Sequence, residues 1–268
     1  MPATPTTPPL NLHRIPKLHL RCYDVGHPGA SVFFGTPPSV DQKLQTAVST
    51  VLSRLYPSSD EPPPPIRSVT LYLEVFDGVA YTCGSKLDEE HEEVHLSLSY
   101  LADVKKNSHD NTDRLANEVM GVLVHELVHA FQYNGKGTVP GGVIEGIADW
   151  LRGEAGLAPP HWRERPSEDD RWDAGYERTG YFLGWISRYT RNPLLVPQLN
   201  RALQYSTWGD AAALQKLLGG ESPEEMWEKY KKSFKGKEED EDEPPQPVPT
   251  HGPLAGHDMS RRGYSVQY

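Results

Sequence analysis

The sequence predicts an α+β fold, in which an N-terminal mixed β-sheet with one helix is followed by a mainly helical half. Two observations predict it. Strand-like patterns are confined to the segment before Tyr100, and helical spacing of apolar residues dominates after Asp113. Strands first and helices afterwards are typical of an α+β domain.

The predicted strands are short and either apolar or alternating. They are Leu18–Tyr23, Ser31–Phe34, Ser68–Phe76, Val79–Cys83 and Glu93–Ser99. Asp77-Gly78 is typical of a tight turn. Val79–Cys83 is therefore predicted to return as the hairpin partner of Ser68–Phe76.

One helix is predicted between these strands and the others after them. Val40–Tyr56 has helical spacing and leads into a proline-rich loop, Ser59–Pro65. A longer helix has N-cap candidates at Asn111-Thr112-Asp113 and a C-terminal stop at Asn134-Gly135, so it spans roughly five to six turns. The last predicted helices are Trp172–Tyr189, Leu194–Tyr205, Asp210–Leu218 and Pro223–Phe234.

The long helix contains the pattern His125-Glu126-Leu127-Val128-His129 near its end. Residues four apart lie on one helix face, so the two imidazoles can bind one metal ion without distorting the backbone. Glu126 points to the same side and can take a proton from a metal-bound water. The pattern predicts a zinc-hydrolase site with Glu126 as the general base. The alternative is a helix whose two histidines are ordinary surface or core residues.

A catalytic zinc ion takes three protein ligands and keeps one position for water. Glu145 follows His129 by sixteen residues, which is long enough for a loop and a return helix. Asp149 comes four residues later, on the same face of that helix. We therefore predict that Glu145 is the third ligand of one Zn²⁺ ion. Asp149 is predicted to accept the outward N–H of a ligating histidine, and the sequence leaves open which one.

The sequence Glu145-Gly146-Ile147-Ala148-Asp149 after the histidine pattern resembles the gluzincin peptidases. Metzincins place a histidine where this chain has Gly135. More closely, the segments that contain both patterns resemble the plant basic secretory protein family, as do Ala158–Trp162 and Arg171–Thr179, and weaker similarity extends over about residues 15–235. The resemblance implies a zincin-like helical half and a zinc peptidase, linked in plants to defence.

The resemblance adds three candidates for the site. Tyr176 is similar in position to the oxyanion-binding tyrosine of some gluzincin aminopeptidases, and a core tyrosine is the alternative. His161 and Asp173 match family segments and would line the cleft or replace Glu145 as a ligand. Glu145 is preferred because it is paired with Asp149.

Glu93–Ser99 is the last predicted strand before the histidine helix. It would either form the edge above the cleft, where an extended peptide could add by backbone hydrogen bonds, or be an ordinary edge or central strand. His91 and His95 near this strand are expected to be surface or partly packed residues rather than ligands.

Composition limits the partners and the compartment. A formal net charge of −10 argues against nucleic-acid binding, and no segment approaches the roughly twenty apolar residues of a membrane span. Met1–Leu20 lacks the apolar segment of a secretory signal, so a cytoplasmic location is expected, with secretion as the alternative implied by the resemblance. Cys22 and Cys83 are expected to be reduced packing residues.

One folded domain is predicted, over residues 13–235. Residues 1–12 and 236–268 are expected to be disordered. The second segment contains the charge run Lys237–Glu243 followed by prolines, and it is expected to be a solvated spacer.

Together these patterns predict a zinc-dependent peptidase that acts on peptide or protein substrates. The alternative is a non-catalytic zinc-containing binding or defence-related protein that uses the same cleft. A structural zinc site would need a fourth protein ligand, and none is obvious near Glu145, which favours the enzyme. A zinc hydrolase of non-peptide amides is a third possibility.

Overall fold

The computed structural model describes residues 14–108, 111–235 and 263–264, and it contains one mixed β-sheet. The strands are β1 (Lys17–Cys22), β2 (Ser68–Glu74), β3 (Ala80–Gly84), β4 (His91–Ser97) and β5 (Gly263–Tyr264). They lie in the order β1-β2-β4-β3-β5, with β1, β2 and β4 parallel and β3 antiparallel to both of its neighbours. The terminal segments predicted to be disordered lie outside the described residues, apart from β5.

Helices make up most of the rest. They are α1 (Pro28–Gly35), α2 (Val40–Leu55), α3 (Leu98–Asn107), α4 (Thr112–Phe131), α5 (Gly141–Glu154), α6 (Tyr176–Tyr189), α7 (Leu195–Tyr205), α8 (Trp208–Ala211), α9 (Ala213–Leu217) and α10 (Pro223–Lys232). A mixed sheet followed by a helical half confirms the predicted α+β fold. Within the described ranges, no helix combines the length and the apolar character needed to cross a bilayer.

The two faces of the sheet have different environments. Residues that alternate along β2 and β4, such as Leu71 and Leu96, are buried against the helices in the hydrophobic core. The intervening side chains point to the opposite face, which we call the outer face. It carries Tyr72 and Glu74 of β2, Glu93 and His95 of β4, and Tyr81 and Cys83 of β3.

The helix α4 lies at the centre of the fold. It packs against α2, α5 and β3, and every residue from Val119 to Phe131 is buried. Asn111 caps its first turn, because its side chain accepts a hydrogen bond from the Arg114 backbone N–H, as predicted. The helix ends at Phe131, before the predicted stop at Asn134-Gly135, because Gln132 is already extended.

Glycine allows α5 and α6 to approach closely. A Cβ atom at Gly142 would lie 2.0 Å from the carbonyl oxygen of Asp173, and one at Gly180 would lie 2.9 Å from the backbone nitrogen of Trp150. No other residue fits either position without moving the backbone. This contact holds the α5 carboxylates beside the N-terminus of α6.

Two strand predictions were wrong, and the structure decides between the alternatives for a third. Ser31–Phe34 belongs to helix α1, because Pro28 opens the helix and His27 Nδ1 accepts a hydrogen bond from the Gly29 N–H. Val79–Cys83 contains most of β3, but β3 pairs with β4 and not with β2. The strand predicted as Glu93–Ser99 contains most of β4, which lies between β2 and β3. It is therefore a central strand, which is one of the alternatives that the sequence left open. Its two edges are paired with β2 and β3, so neither edge can accept an extended peptide.

The predicted helix boundaries also need correction. The segment that follows β4 turns at once into α3, starting at Leu98, because Ser97 caps it through a hydrogen bond from the Tyr100 N–H. The helix predicted from Trp172 begins only at Tyr176, after Gly175 with φ 102°. Asp210–Leu218 is interrupted at Ala212, whose φ of 34° is left-handed and incompatible with a continuous helix.

Candidate active site

Three side chains from two helices converge at the centre of the molecule. His125 and His129 project from α4, and Glu145 projects from the second turn of α5. The Nε2 atoms of the two histidines are 3.2 Å apart. Glu145 Oε2 lies 3.2 Å from His125 Nε2 and 3.5 Å from His129 Nε2. These three residues form a group that could hold a metal ion.

The spacing of these three atoms fits a zinc ion. Nitrogen and oxygen ligands lie about 2.0–2.1 Å from zinc, so two such ligands in a tetrahedral site are about 3.3 Å apart. The observed triangle of 3.2, 3.2 and 3.5 Å matches that separation without any movement of the side chains. Two imidazoles and one carboxylate are also a donor set that catalytic zinc sites use.

The partner of Asp149 is His125. Asp149 Oδ1 lies 2.6 Å from His125 Nδ1, and both side chains are fully buried. An ionised carboxylate accepts hydrogen bonds but cannot donate them, so the Nδ1 atom carries the proton. In the neutral ring that binds a metal, the lone pair is therefore on Nε2, which faces Glu145 and His129. The sequence left open which histidine Asp149 contacts. This distance shows that it is His125.

His129 has a different partner, Gln132, which the sequence analysis missed. The Nε2 atom of Gln132 lies 2.8 Å from His129 Nδ1. The buried Oε1 atom of the same amide has no hydrogen-bond partner in the ranges that the structure describes. A 180° rotation of the amide exchanges these two atoms. Oε1 then accepts the Nδ1–H of His129, which leaves Nε2 with the lone pair that metal binding requires.

Glu126 lies completely buried between the sheet and the histidines. Its Oε2 atom accepts a hydrogen bond of 2.8 Å from the Thr82 hydroxyl of β3. Its Oε1 atom has no hydrogen-bond partner within the described part of the chain. Burial raises the pKa of Glu126, while the two histidines and the Thr82 hydrogen bond oppose that rise. A carboxylate with a raised pKa and one free oxygen suits a group that accepts a proton during a reaction.

Glu145 and His125 shift one another's pKa values through their charges. Burial disfavours the charged form of Glu145, but His129 and His125 outweigh burial and lower its pKa to about 2. Burial likewise opposes charge on His125, yet Asp149 and Glu145 raise the pKa of His125 to about 10. In the absence of metal, His125 is therefore protonated near neutral pH, and its ring lies between the carboxylates of Asp149 and Glu145.

Tyr176 lies beside the metal-binding group, at the first residue of α6. Its ring is nearly parallel to that of His125, with centroids 6.5 Å apart. Its φ of 46° is unusual for a residue with a side chain and costs about 1–2 kcal/mol. Burial, together with Glu145, raises the pKa of Tyr176, so its hydroxyl keeps its proton near neutral pH.

The other two candidates do not join the group. His161 is exposed, and its electrostatic neighbours are Glu118 and Arg152. Asp173 pairs with Arg171 at 2.8 Å. Glu145 is thus the carboxylate that meets the two histidines, as its pairing with Asp149 predicted.

A buried ion pair connects the two ligand-bearing helices. Arg152 of α5 donates a hydrogen bond of 3.0 Å to Glu118 of α4, and Tyr100 donates one of 2.7 Å to the same carboxylate oxygen. Arg152 is almost wholly buried and lies over the Trp162 ring. Because the pair is buried, the loss of either partner would leave an uncompensated charge between α4 and α5.

A cleft of about 380 Å³ opens beside His129. Its lining includes Thr82 of β3, Gln132, Tyr133 and Tyr205. A cleft of this size can hold a small ligand or a few side chains of a longer one. Thr82, like Gln132, was not singled out from the sequence, because its role depends on the packing of β3 against α4.

Comparison with known proteins agrees with this geometry. A family model described as "Peptidase of plants and bacteria" (BSP) matches residues 15–230. No curated protein and no solved structure matches the chain. The matched range contains both ligand-bearing helices and most of the sheet. By the extent of this match, the chain belongs to the BSP family of peptidases of plants and bacteria.

Proposed function

We propose that this protein is a zinc-dependent peptidase in which His125, His129 and Glu145 bind one zinc ion and Glu126 is the general base. The observation that carries the proposal is the triangle of Nε2, Nε2 and Oε2 atoms, with sides of 3.2–3.5 Å. A family of peptidases implies a peptide or protein substrate.

When bound, zinc supplies Lewis-acid chemistry, since it polarises a carbonyl oxygen and lowers the pKa of water towards about 7. The role of the chain is to orient the ligands and to move protons. Asp149 and Gln132 hold the two imidazoles with their Nε2 atoms directed at the same point. Both contacts are buried, so water does not compete for them.

Glu126 is the proton carrier of the proposed reaction. Oε1 is the oxygen that accepts a proton from the attacking water, because Oε2 is engaged by Thr82. The same carboxylic acid then donates the proton to the leaving amine nitrogen. Burial favours this exchange, because it makes the protonated and ionised forms of Glu126 closer in free energy than they are in water.

Tyr176 is the proposed donor to the oxyanion. Its hydroxyl remains protonated near neutral pH and can donate a hydrogen bond to the negative charge that develops on the carbonyl oxygen. The left-handed backbone at Tyr176 follows Gly175, which approaches Gly142 of α5. The strained position is thus supported by the contact between α5 and α6.

The test uses the zinc-loaded protein on an unbiased peptide library, with and without a chelator, together with the variant Glu126→Gln. The wild-type protein is expected to cleave peptides only in the absence of the chelator. Glu126→Gln is expected to retain one equivalent of zinc at this site and to lose about 10²–10⁴-fold in rate. Glu228→Gln, at an exposed position of α10, is the matched control and should remain active.

Two results would overturn the proposal. Cleavage by Glu126→Gln at the wild-type rate would exclude Glu126 as the base. Zinc binding without chelator-sensitive cleavage of any peptide would favour the non-catalytic binding protein.

A further inference from the structure

A second group of metal-binding residues lies on the outer face of the sheet. Cys83, Glu93 and His95 each offer one ligand atom, and these atoms all lie within 4.8 Å of one another. Cys83 and Glu93 are register partners across β3 and β4, and His95 follows Glu93 by two residues on the same face. Sheet geometry therefore directs all three side chains to one point.

His95 is oriented as metal-binding histidines are. Glu74 of β2 contacts its Nδ1 atom in a close hydrogen bond. The carboxylate accepts the proton of Nδ1, so the lone pair of the ring is on Nε2. Asp149 accepts the Nδ1 proton of His125 in the same way at the candidate active site.

Among the residues that the structure describes, no hydrogen-bond partner lies near the Nε2 atom of His95. It is buried, and the residue is only 9 % exposed. The nearest carboxylate oxygen, Glu93 Oε2, lies 3.6 Å away, which is too far for a hydrogen bond. A buried acceptor without a donor is unfavourable by roughly 1–3 kcal/mol, and a cation between His95 and Glu93 would remove that cost.

The ring of His95 is also held in place. It is stacked between Tyr72 and Tyr81, with centroid distances of 4.7 and 4.3 Å and planes within 6° of parallel. The two tyrosines prevent the imidazole from rotating away from Cys83 and Glu93. The histidine is therefore pre-organised, and only the side chains of Cys83 and Glu93 need to adjust.

From these contacts we propose that Cys83, Glu93 and His95 form a second metal site, which binds a divalent cation of the zinc class. A thiolate and an imidazole select zinc-like ions over magnesium and calcium, which prefer oxygen ligands. Sulfur and nitrogen ligands of a tetrahedral zinc ion are about 3.5 Å apart. The donor atoms here lie within 4.8 Å of one another, so they must close by about 1.3 Å at most. The thiol binds as the thiolate, and its proton passes to solvent.

This site is separate from the candidate active site. Thr82 points to the inner face of β3 and binds Glu126, whereas Cys83, the next residue, points to the outer face. The two sites use different ligands, and the active-site group contains no sulfur. The absorption spectrum of a bound metal ion can therefore distinguish the two sites by the sulfur ligand.

The experiment is a titration of the metal-free protein with Co²⁺, followed by absorption in the near ultraviolet. Thiolate-to-cobalt charge transfer produces a band there that histidine and carboxylate ligands do not. We expect the band in the wild-type protein and in His129→Ala, which removes an active-site ligand. We expect its loss in Cys83→Ser and its retention in Cys22→Ser, the matched control at the other free cysteine.

Zinc content supplies a second measurement. The wild-type protein should bind two equivalents, and Cys83→Ser and His129→Ala one each. Loss of a group that only supports a metal ligand typically weakens binding about 10–100-fold, so His95→Gln, which removes a proposed ligand, should weaken cobalt binding at the outer site by at least about that factor. The proposal is overturned if the wild-type protein saturated with Co²⁺ shows no such band, or if the band persists in Cys83→Ser. Neither readout depends on peptide cleavage, so failure of the proposed peptidase activity would leave this test intact.

Discussion

Asp149 Oδ1 and His125 Nδ1 are 2.6 Å apart and wholly shielded from solvent. The contact crosses from α5 to α4, so the helix that supplies Glu145 also orients one of the two histidines. The ligand and the group that orients its neighbour come from one helix face, four residues apart. Any shift of α5 relative to α4 would therefore disturb both at once.

Replacement of Asp149 by Asn should weaken zinc binding. The amide can still accept from His125 Nδ1–H but lacks the charge that increases the basicity of the ring. We expect zinc affinity to fall by about 10–100-fold, measured by competition with a chromophoric chelator. Asp173→Asn, which alters a surface pair with Arg171, should keep the wild-type affinity. Equal affinities in Asp149→Asn and the wild-type protein would contradict the orienting role.

Zinc affinity should also increase with pH. In the metal-free protein the pKa of His125 is raised to about 10 and that of Glu145 is lowered to about 2. Between these values His125 holds a proton that zinc must displace, so affinity should increase about tenfold per pH unit. Chelator competition between about pH 7 and pH 9 measures the slope. Affinity that is independent of pH over this range would show that no proton is displaced.

Replacement of Thr82 by Val should make Glu126 a less effective base at neutral pH, although the carboxylate itself remains. The Thr82 hydroxyl stabilises the ionised carboxylate, so its loss raises the pKa of Glu126 further. The acid limb of kcat/KM should move to higher pH, because the base is ionised only above its pKa. The rate at neutral pH should fall by about tenfold. Thr70→Val, on the outer face of β2, should leave the pH profile unchanged.

Replacement of Tyr176 by Phe should reduce kcat more than it changes KM. A hydrogen bond to the oxyanion strengthens only as charge develops, so its loss raises the barrier of the chemical step. We expect a fall of about 10²–10³-fold in kcat. Tyr181→Phe is the control on the same helix, since Tyr181 packs against Trp162. If both variants have wild-type kcat, Tyr176 is a packing residue.

Replacement of Gly142 by Ala should destabilise the fold. The added methyl group would collide with the Asp173 carbonyl oxygen, which is part of the backbone and cannot rotate away. We expect a loss of about 1–3 kcal/mol in the free energy of unfolding, measured with urea. Gly141→Ala has open space around the new methyl group and should change stability by less than about 1 kcal/mol. Equal stability of the two variants would show that the close approach of α5 to the segment before α6 is not required.

Local spacing determined what the sequence alone could predict. His125, Glu126 and His129 share a helix turn, and Glu145 and Asp149 share the next helix, so helix geometry places each set on one face whatever the rest of the chain does. The same reasoning predicted the helix that contains the histidines and limited its N-cap to Asn111, Thr112 or Asp113, of which the structure shows Asn111. The order of strands before helices likewise predicted the fold class.

Tertiary structure decided which residues meet across elements. The insertion of β4 between β2 and β3, the contact of Thr82 with Glu126, and the assignment of Asp149 to His125 all depend on how buried faces pack together. The cluster of Cys83, Glu93 and His95 arises only because antiparallel pairing sets Cys83 opposite Glu93. The spacing of apolar residues along a strand or a helix predicts which face of that element is buried. It does not predict which neighbouring element covers that face. That choice depends on the free energy of burying the whole core.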